Sequence, residues 1–366
     1  MTEALTNYFF PFWTLILTLV IGVGVLSYVP VILMVERWGS AWLQRRSGPN
    51  RVGPMGSMQP MADALKLVFK EANIPAQSHK ILFLLAPALA VVPPFVALTV
   101  IPFGGSIHFM GAEYPVQISQ LSVGLLFLLG ITSLHVYSVL LAGWASNNKF
   151  SLMGALRSSS QMISYEIAIG VCMVSLILTY GTLDLREIVK LQEHGSSLPA
   201  WGMFLQPVAF IILWICAFAE TNRLPFDLPE GESELVAGYH TEYSGLTFGL
   251  FFMGEYVAMG VASAFLTTLF LGGFNVPFIS ELELRNLLLA QNLSLEIASL
   301  VTVILQVLAF VMKTGFFLWV YVWIRWTLPR FRYDQLMDLG WKVLLPIGVL
   351  NAIVTLGVTF FLRNSQ

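Results

Sequence analysis

Charge is scarce in this sequence. Of 366 residues only 11% are Asp, Glu, Lys or Arg, while 57% are hydrophobic, against the roughly 25% charged residues of a soluble domain. So little charge cannot make a water-facing surface, and the mean hydropathy of +0.76 calls for lipid as solvent, where a helical span needs about 20 apolar residues. A basic excess is missing as well. The formal net charge is -2, which excludes nucleic acid as a partner, because phosphate binding needs clustered positive charge. Cys172 and Cys216 each lie alone in an apolar run, without the CxxC spacing that holds zinc or an iron–sulfur cluster, so both read as buried, inert thiols. His79, His108, His135, His194 and His240 are scattered singly and only His135 falls mid-span, which disfavours a haem held by two histidines. His135 is expected to be a satisfied residue of the bundle interior, with proton handling as the alternative. There is no GxGxxG, P-loop or nucleophile elbow, so nothing points to nucleotide binding or hydrolysis. No Lys or Arg precedes Arg37; the basic n-region of a cleaved secretory signal is therefore lacking, and Phe12–Val35 is expected to be a retained first span.

What the sequence does hold is a series of long apolar runs. Spans are expected near 9–35, 81–103, 116–143, 160–181, 205–222, 246–272, 295–326 and 342–362, giving an all-α, polytopic membrane protein of about eight helices in a single domain, 1–366. An even count puts both termini on one side. With the termini outside, fourteen of the nineteen basic residues, from Arg37 to Lys342, fall in cytoplasmic segments. Only Arg186, Lys190, Arg285 and Arg363 fall outside, and Lys313 is left within the seventh span. The positive-inside rule favours that orientation.

The basic cytoplasmic loop, 36–80, contains an amphipathic stretch. Over Ser57–Glu71, Met58, Met61, Ala62, Leu65, Val68 and Phe69 fall at helical spacing, with Asp63, Lys66 and Lys70 opposite, and Pro60 suits a first turn. Such a helix is expected to lie along the membrane interface. The acidic loop, 223–245, runs against the rule: five acids face Arg223 alone, a local charge of -4. Arg37, Arg45, Arg46 and Arg51, or a partner protein, are the candidates to offset it. Pro225, Phe226 and Pro229 among the acids indicate a packed, rigid segment. Pro11, Pro30, Pro87, Pro93, Pro94 and Pro102 lie in or near spans and are expected to kink or tilt them, opening room for a pocket.

Carboxylates inside spans are costly and default to a functional reading. Glu166 stands in the fourth span, Glu220 closes the fifth, Glu255 lies in the sixth and Lys313 deep in the seventh. Each glutamate alone is as readily a satisfied interhelical hydrogen bond or an ion pair to Lys313. Three acids with a lysine favour a proton relay, in which burial and neighbouring charge govern protonation.

Several motifs, in order along nearly the whole chain, carry a resemblance. They are Glu36-Arg37, then Arg46-Ser47-Gly48-Pro49-Asn50-Arg51-Val52-Gly53-Pro54-Met55-Gly56 and Gln59-Pro60-Met61-Ala62-Asp63. Gly143 to Lys149, Ser164-Tyr165-Glu166, Ala219 to Glu230, Glu234 to Tyr239 and Pro329 to Leu336 continue the pattern. The chain resembles the quinone-chamber membrane subunit of respiratory complex I. That resemblance implies eight tilted helices at the junction of the membrane and hydrophilic arms of an NADH–quinone oxidoreductase, in a bacterial inner membrane. It implies quinone as substrate, no bound cofactor or redox centre in this chain, and a part in proton translocation. The implied partners are the hydrophilic-arm subunits with the quinone site and iron–sulfur clusters, the neighbouring membrane subunits and the lipid bilayer. The quinone tunnel, with access from lipid near the first span and the interfacial helix, maps onto Glu36, Arg37, Arg46, Asp63, Arg223, Asp227, Glu230, Glu232 and Glu234. The relay maps onto Glu166, Glu220 and Glu255, with Lys313 beside them. His135 stands where some members place a further carboxylate, and Ser57-Met58 is a less usual start to the interfacial helix. The rival readings are a homologous subunit of a membrane-bound hydrogenase or ferredoxin-dependent complex, and a stand-alone proton-coupled transporter. No inverted repeat supports the transporter, and a passive anchor has no use for intramembrane acids.

Overall fold

The computed structural model describes residues 2–109, 111–193, 200–228, 235–291 and 294–364. Among these, seven helices are long and apolar enough to cross a membrane. The first is α1 (Thr2–Leu43), followed by the short α2 (Gln59–Phe69) and then α3 (Lys80–Ala97). The third span is made of α4 (Gly124–Thr132) and α5 (Leu134–Ala145), and the fourth is α6 (Lys149–Tyr180). After α7 (Leu185–Leu191), α8 (Gly202–Leu205) and α9 (Pro207–Glu220) come α10 (Gly245–Phe270), α11 (Glu281–Leu289) and α12 (Leu295–Thr327). The chain ends in α13 (Tyr333–Asp338), a wide-turn segment Leu339–Leu344 and α14 (Leu345–Asn364). The all-α polytopic architecture is as the hydropathy predicts.

The fifth crossing departs from its predicted 205–222. Helix α9 has 14 residues, about 21 Å at 1.5 Å per residue, against a hydrocarbon core of about 30 Å. Pro207 causes the interruption: it has no N–H and drives the preceding residue out of the helical region. Gln206 accordingly sits at φ -134°, ψ 62°. Its side chain fills the gap, donating to Thr179 Oγ1 and Thr355 Oγ1, both at 3.0 Å, and accepting from Asn351 Nδ2 at 3.1 Å. The wide turn before α14 has a similar origin, because Pro346 has no N–H to offer the Lys342 carbonyl.

The spans predicted at 81–103 and 116–143 are also shorter than the apolar runs. Between them the chain forms an antiparallel hairpin, Ser106–Phe109 with Ala112–Pro115. By contrast α6 has 32 residues and α12 has 33, so each exceeds the membrane core and must tilt or project beyond it.

The main core forms where α6, α9, α10 and α12 meet, around Tyr165, Phe226, Phe270, Phe274 and Phe317. A second cluster joins α3, α5 and α10 through Phe83, Ala90, Val139, Tyr243 and Phe251. The loops at one end interlock: His79 N donates to the Ala145 carbonyl and Phe331 N to the Pro225 carbonyl, and Asn148 Nδ2 donates to Glu242 at 2.6 Å. A Cβ on Gly154 would meet Gly238 Cα at 2.8 Å, so α6 presses directly on the backbone of the 235–244 segment.

Helix α2 is shorter than its predicted 57–71. Its Met61, Leu65, Val68 and Phe69 remain exposed, an apolar face available to lipid.

Candidate functional site

Neighbouring residues on a helix point about 100° apart, and two such pairs build the site. On α1, Glu36 faces α10 and α12 while Arg37 faces α2. On α10, Glu255 and Tyr256 diverge in the same way. Asn222, in the left-handed region at φ 49° where asparagine is tolerated, turns the chain as α9 ends and brings Arg223 among them. Arg223 Nη1 lies 3.9 Å from Glu36 Oε1 and Nη2 lies 3.7 Å from Glu255 Oε2. The guanidinium carbon stands 4.3 Å from the Tyr256 ring centre. Tyr256 donates its hydroxyl to Glu36 Oε2 at 2.6 Å, and Tyr239 donates to Glu255 Oε1 at 2.9 Å. Arg325, from the end of α12, pairs with Glu36. Two carboxylates thus meet two guanidiniums with Glu36 only 9% and Glu255 only 7% exposed. Buried charge persists where it is paired and hydrogen-bonded.

A cavity of about 720 Å³ opens beside this cluster, between α1, α2 and α10. Tyr256 belongs to both, and the remaining wall is largely apolar, with Leu26, Pro30, Leu33, Leu67, Phe248 and Met253. Arg37 and Asp63 stand on its wall, 2.6 Å apart and each partly exposed. The volume falls in the range of small-molecule sites, roughly 300–1,000 Å³, and the apolar wall with a few convergent polar groups is typical of them.

A second centre lies further along the bundle. Glu220, at the end of α9, hydrogen-bonds with Thr132 and is an electrostatic neighbour of Glu166 on α6. Glu220 also lines a smaller cavity of about 40 Å³ with Thr132, His135 and Thr221. Glu255 therefore groups with Glu36 and Arg223, while Glu166 and Glu220 form their own pair.

Lys313 is elsewhere. Its Nζ donates to the carbonyls of Leu271, Gly273 and Asn275 at 2.7, 3.0 and 2.7 Å, so it closes the C-terminal end of α10, where carbonyls have no helical partner. Three donors on three carbonyls use the ammonium fully, and the ion pair to a membrane glutamate is not formed.

In the acidic loop, Asp227 pairs with Arg330 at 3.2 Å, a basic residue that is not among the expected counter-charges. Arg46 is exposed and donates to Gln44 at 2.6 Å. Glu230, Glu232 and Glu234 lie outside the described residues. The start of the loop is packed as predicted: Phe226 is buried, and Gln161 Nε2 donates to the carbonyls of Phe226 and Ala219, both at 2.9 Å.

The family model for NADH dehydrogenase matches residues 15–356. The chain belongs to the NADH dehydrogenase family. Relatives agree along their length. NADH-quinone oxidoreductase subunit 8 of Rhodothermus marinus is 48% identical, covering 96% of this chain and 98% of the relative. An NADH-quinone oxidoreductase subunit of Salinibacter ruber is 46% identical over 95% and 97%. Its counterpart in Bdellovibrio bacteriovorus is 44% identical over 93% and 94%.

In this NADH dehydrogenase family chain, sequence reasoning missed Arg325, Tyr239 and Tyr256. In the sequence Arg325 counts only as a positive charge at a span end. Tyr239 closes a quoted motif and Tyr256 stands beside Glu255, but hydropathy treats both as ordinary interface aromatics, and only the fold turns their hydroxyls onto carboxylates.

Proposed function

We propose that this chain is the membrane subunit of a proton-pumping NADH–quinone oxidoreductase, seated in a bacterial inner membrane with both termini on the outer face. The quinone is taken from lipid into the cavity between α1, α2 and α10, and its head approaches the buried Glu36–Arg223–Glu255–Arg325 cluster. The carrying observation is that this charged cluster and the 720 Å³ apolar cavity share a wall at Tyr256. An isoprenoid tail suits the apolar wall, and a head that gains charge on reduction suits the cluster.

Electrons reach the quinone from iron–sulfur subunits of the hydrophilic arm, which close the cavity from outside the membrane; this chain needs no redox group for that role. Reduction of the quinone adds two electrons and draws two protons. Negative charge arising near Arg223 competes with Glu36 and Glu255 for its guanidinium, changing their protonation or position. Glu220 and Glu166 carry that change towards neighbouring membrane subunits. Asp227 with Arg330, and Glu230, Glu232 and Glu234, belong to the loop facing the hydrophilic arm, with Arg46 at its rim. Lys313 is left out of the relay, because its three donors are committed to backbone.

The test is made in the assembled complex. Ala64→Trp, which fills the cavity wall, is expected to raise the apparent KM for quinone about tenfold or more, since binding energy lost to a filled site appears there. NADH oxidation by a water-soluble acceptor is expected to stay at the wild-type rate. An unchanged KM removes the quinone from this cavity. Glu220→Gln is expected to lower coupled quinone reduction, and wild-type turnover with full proton pumping removes Glu220 from the relay.

A further inference from the structure

His108 stands on the first strand of the hairpin, directly across from Glu113 on the second. Its Nε2 lies 2.7 Å from Arg285 Nη1, on α11, and 3.3 Å from Glu113 Oε1. A guanidinium has only donors and keeps its charge, so its contact with Nε2 needs the lone pair of a neutral imidazole. A carboxylate has only acceptor oxygens, so its contact needs the same nitrogen to carry a hydrogen. One ring nitrogen therefore faces a donor and an acceptor, and protonation decides which of them it bonds.

The two partners sit on elements held with different firmness. The hairpin is anchored by its backbone: His108 N donates to Ser299 Oγ of α12 at 3.1 Å, Gly105 N to Gln306 Oε1 at 2.8 Å, and Trp13 Nε1 of α1 to the Pro115 carbonyl at 3.0 Å. Helix α11 buries none of its residues, so single side-chain contacts weigh heavily in holding it. At its start Glu281 accepts from Gln306 at 3.3 Å and its N–H donates to Glu193, while Glu283 is engaged in capping Ser280. The other charged groups on the packed elements are Glu296 at the start of α12 and Arg186 of α7, an electrostatic neighbour of Glu281, Asp184 and Glu113. Helix α1 carries no charge from Pro11 to Val35. The His108 side chain is only 16% exposed, whereas that of Glu113 is 65% exposed, so water reaches the ring from the Glu113 side.

We propose that His108 is a proton-operated latch between the hairpin and α11. While the ring is neutral, Arg285 donates to Nε2 and ties α11 to the hairpin. When the pH falls, a hydronium ion gives up a proton, its O–H bond breaking as the N–H bond at Nε2 forms. The nitrogen then donates to Glu113 across the hairpin, and Arg285, now facing a like charge, is released. Attachment is thus present at high pH and lost as pH falls through the range in which histidine changes charge, about pH 8 to 5. The latch works in either orientation of the subunit; in the orientation proposed above it lies on the side that receives the pumped protons.

Hydrogen exchange of the α11 amides tests it, read by mass spectrometry in the purified complex and expressed relative to the unstructured rate at each pH. Wild-type protection is expected to fall about tenfold between about pH 8 and 5, the scale of one lost charge-assisted hydrogen bond. His108→Gln keeps an acceptor for Arg285 at every pH and is expected to stay protected throughout. His108→Lys carries its charge throughout and is expected to be poorly protected at both ends. Arg285→Met removes the donor, so it too is expected to show low protection without pH dependence, and it decides the matter if neither variant at 108 assembles. Equal wild-type protection at both ends overturns the proposal. So does an undiminished fall in His108→Gln, which would assign the titration to Glu113, Glu281 or Glu296. High protection of His108→Lys, or wild-type behaviour of Arg285→Met, overturns it as well.

Discussion

At the scale of single residues, Arg37 and Arg223 show how burial sets the worth of a charge. Arg37 and Asp63 are each partly exposed, a setting in which ion pairs contribute about 0–1 kcal/mol. Arg223 holds two buried carboxylates, and removing one partner of a buried pair costs roughly 3–5 kcal/mol. Arg37→Met is therefore expected to assemble near the wild-type level and Arg223→Met to fail, as read by the amount of subunit in the purified complex. The reverse order would show that the cluster does not hold the subunit together. Tyr256→Phe removes one hydrogen bond to the Glu36 carboxylate, worth about 1.5–3 kcal/mol for a charged acceptor. It should assemble but inactivate at a lower temperature, measured as the midpoint of thermal loss of quinone reduction.

Among the elements, α9 and α10 are defined by how they end. Helix α9 starts late because Pro207 interrupts the helix before it, and it ends at Glu220 because Asn222 turns in the left-handed region just beyond. The end of α10 is closed by Lys313, a residue that its sequence position alone made a member of the relay. Lys313→Met leaves three carbonyls without their donor, at about 1–3 kcal/mol each when buried. The expected result is less assembled complex but an unchanged proton-to-electron ratio in what remains. A lowered ratio at full assembly would return Lys313 to the proton path. These two ends also mark the limit of reading elements from sequence: hydropathy locates the apolar runs, but a proline break and a lysine cap depend on which backbone groups meet in space.

For the whole molecule, the interlocked loops and the opposite face with its hairpin define two sides of the bundle. In the orientation we propose, the first side faces the cytoplasm. Cys172 and Cys216 are both fully buried, so an introduced thiol can be labelled against a silent background. A membrane-impermeant maleimide is expected to label Arg46→Cys only from the cytoplasmic side and Gln291→Cys only from the outer side. The opposite pattern would invert the topology and take the cavity away from the hydrophilic arm.

The sequence by itself determined the solvent, the class and the family. A chain with 11% charged residues can fold only with lipid around it, and its loop motifs are local strings legible without a structure. It also indicated Glu166, Glu220, Glu255 and Lys313, because ionisable groups within apolar runs stand out by cost alone, and the loop motifs indicated Glu36 and Arg223 through the family resemblance. Only the tertiary structure decided which of them work together. Glu36 and Tyr256 are 220 positions apart, and Glu36 and Arg325 are 289 apart, separations across which no periodicity speaks. The two cavities are likewise properties of packing. They arise where several helices fail to fill the space between them, and no single helix carries that information.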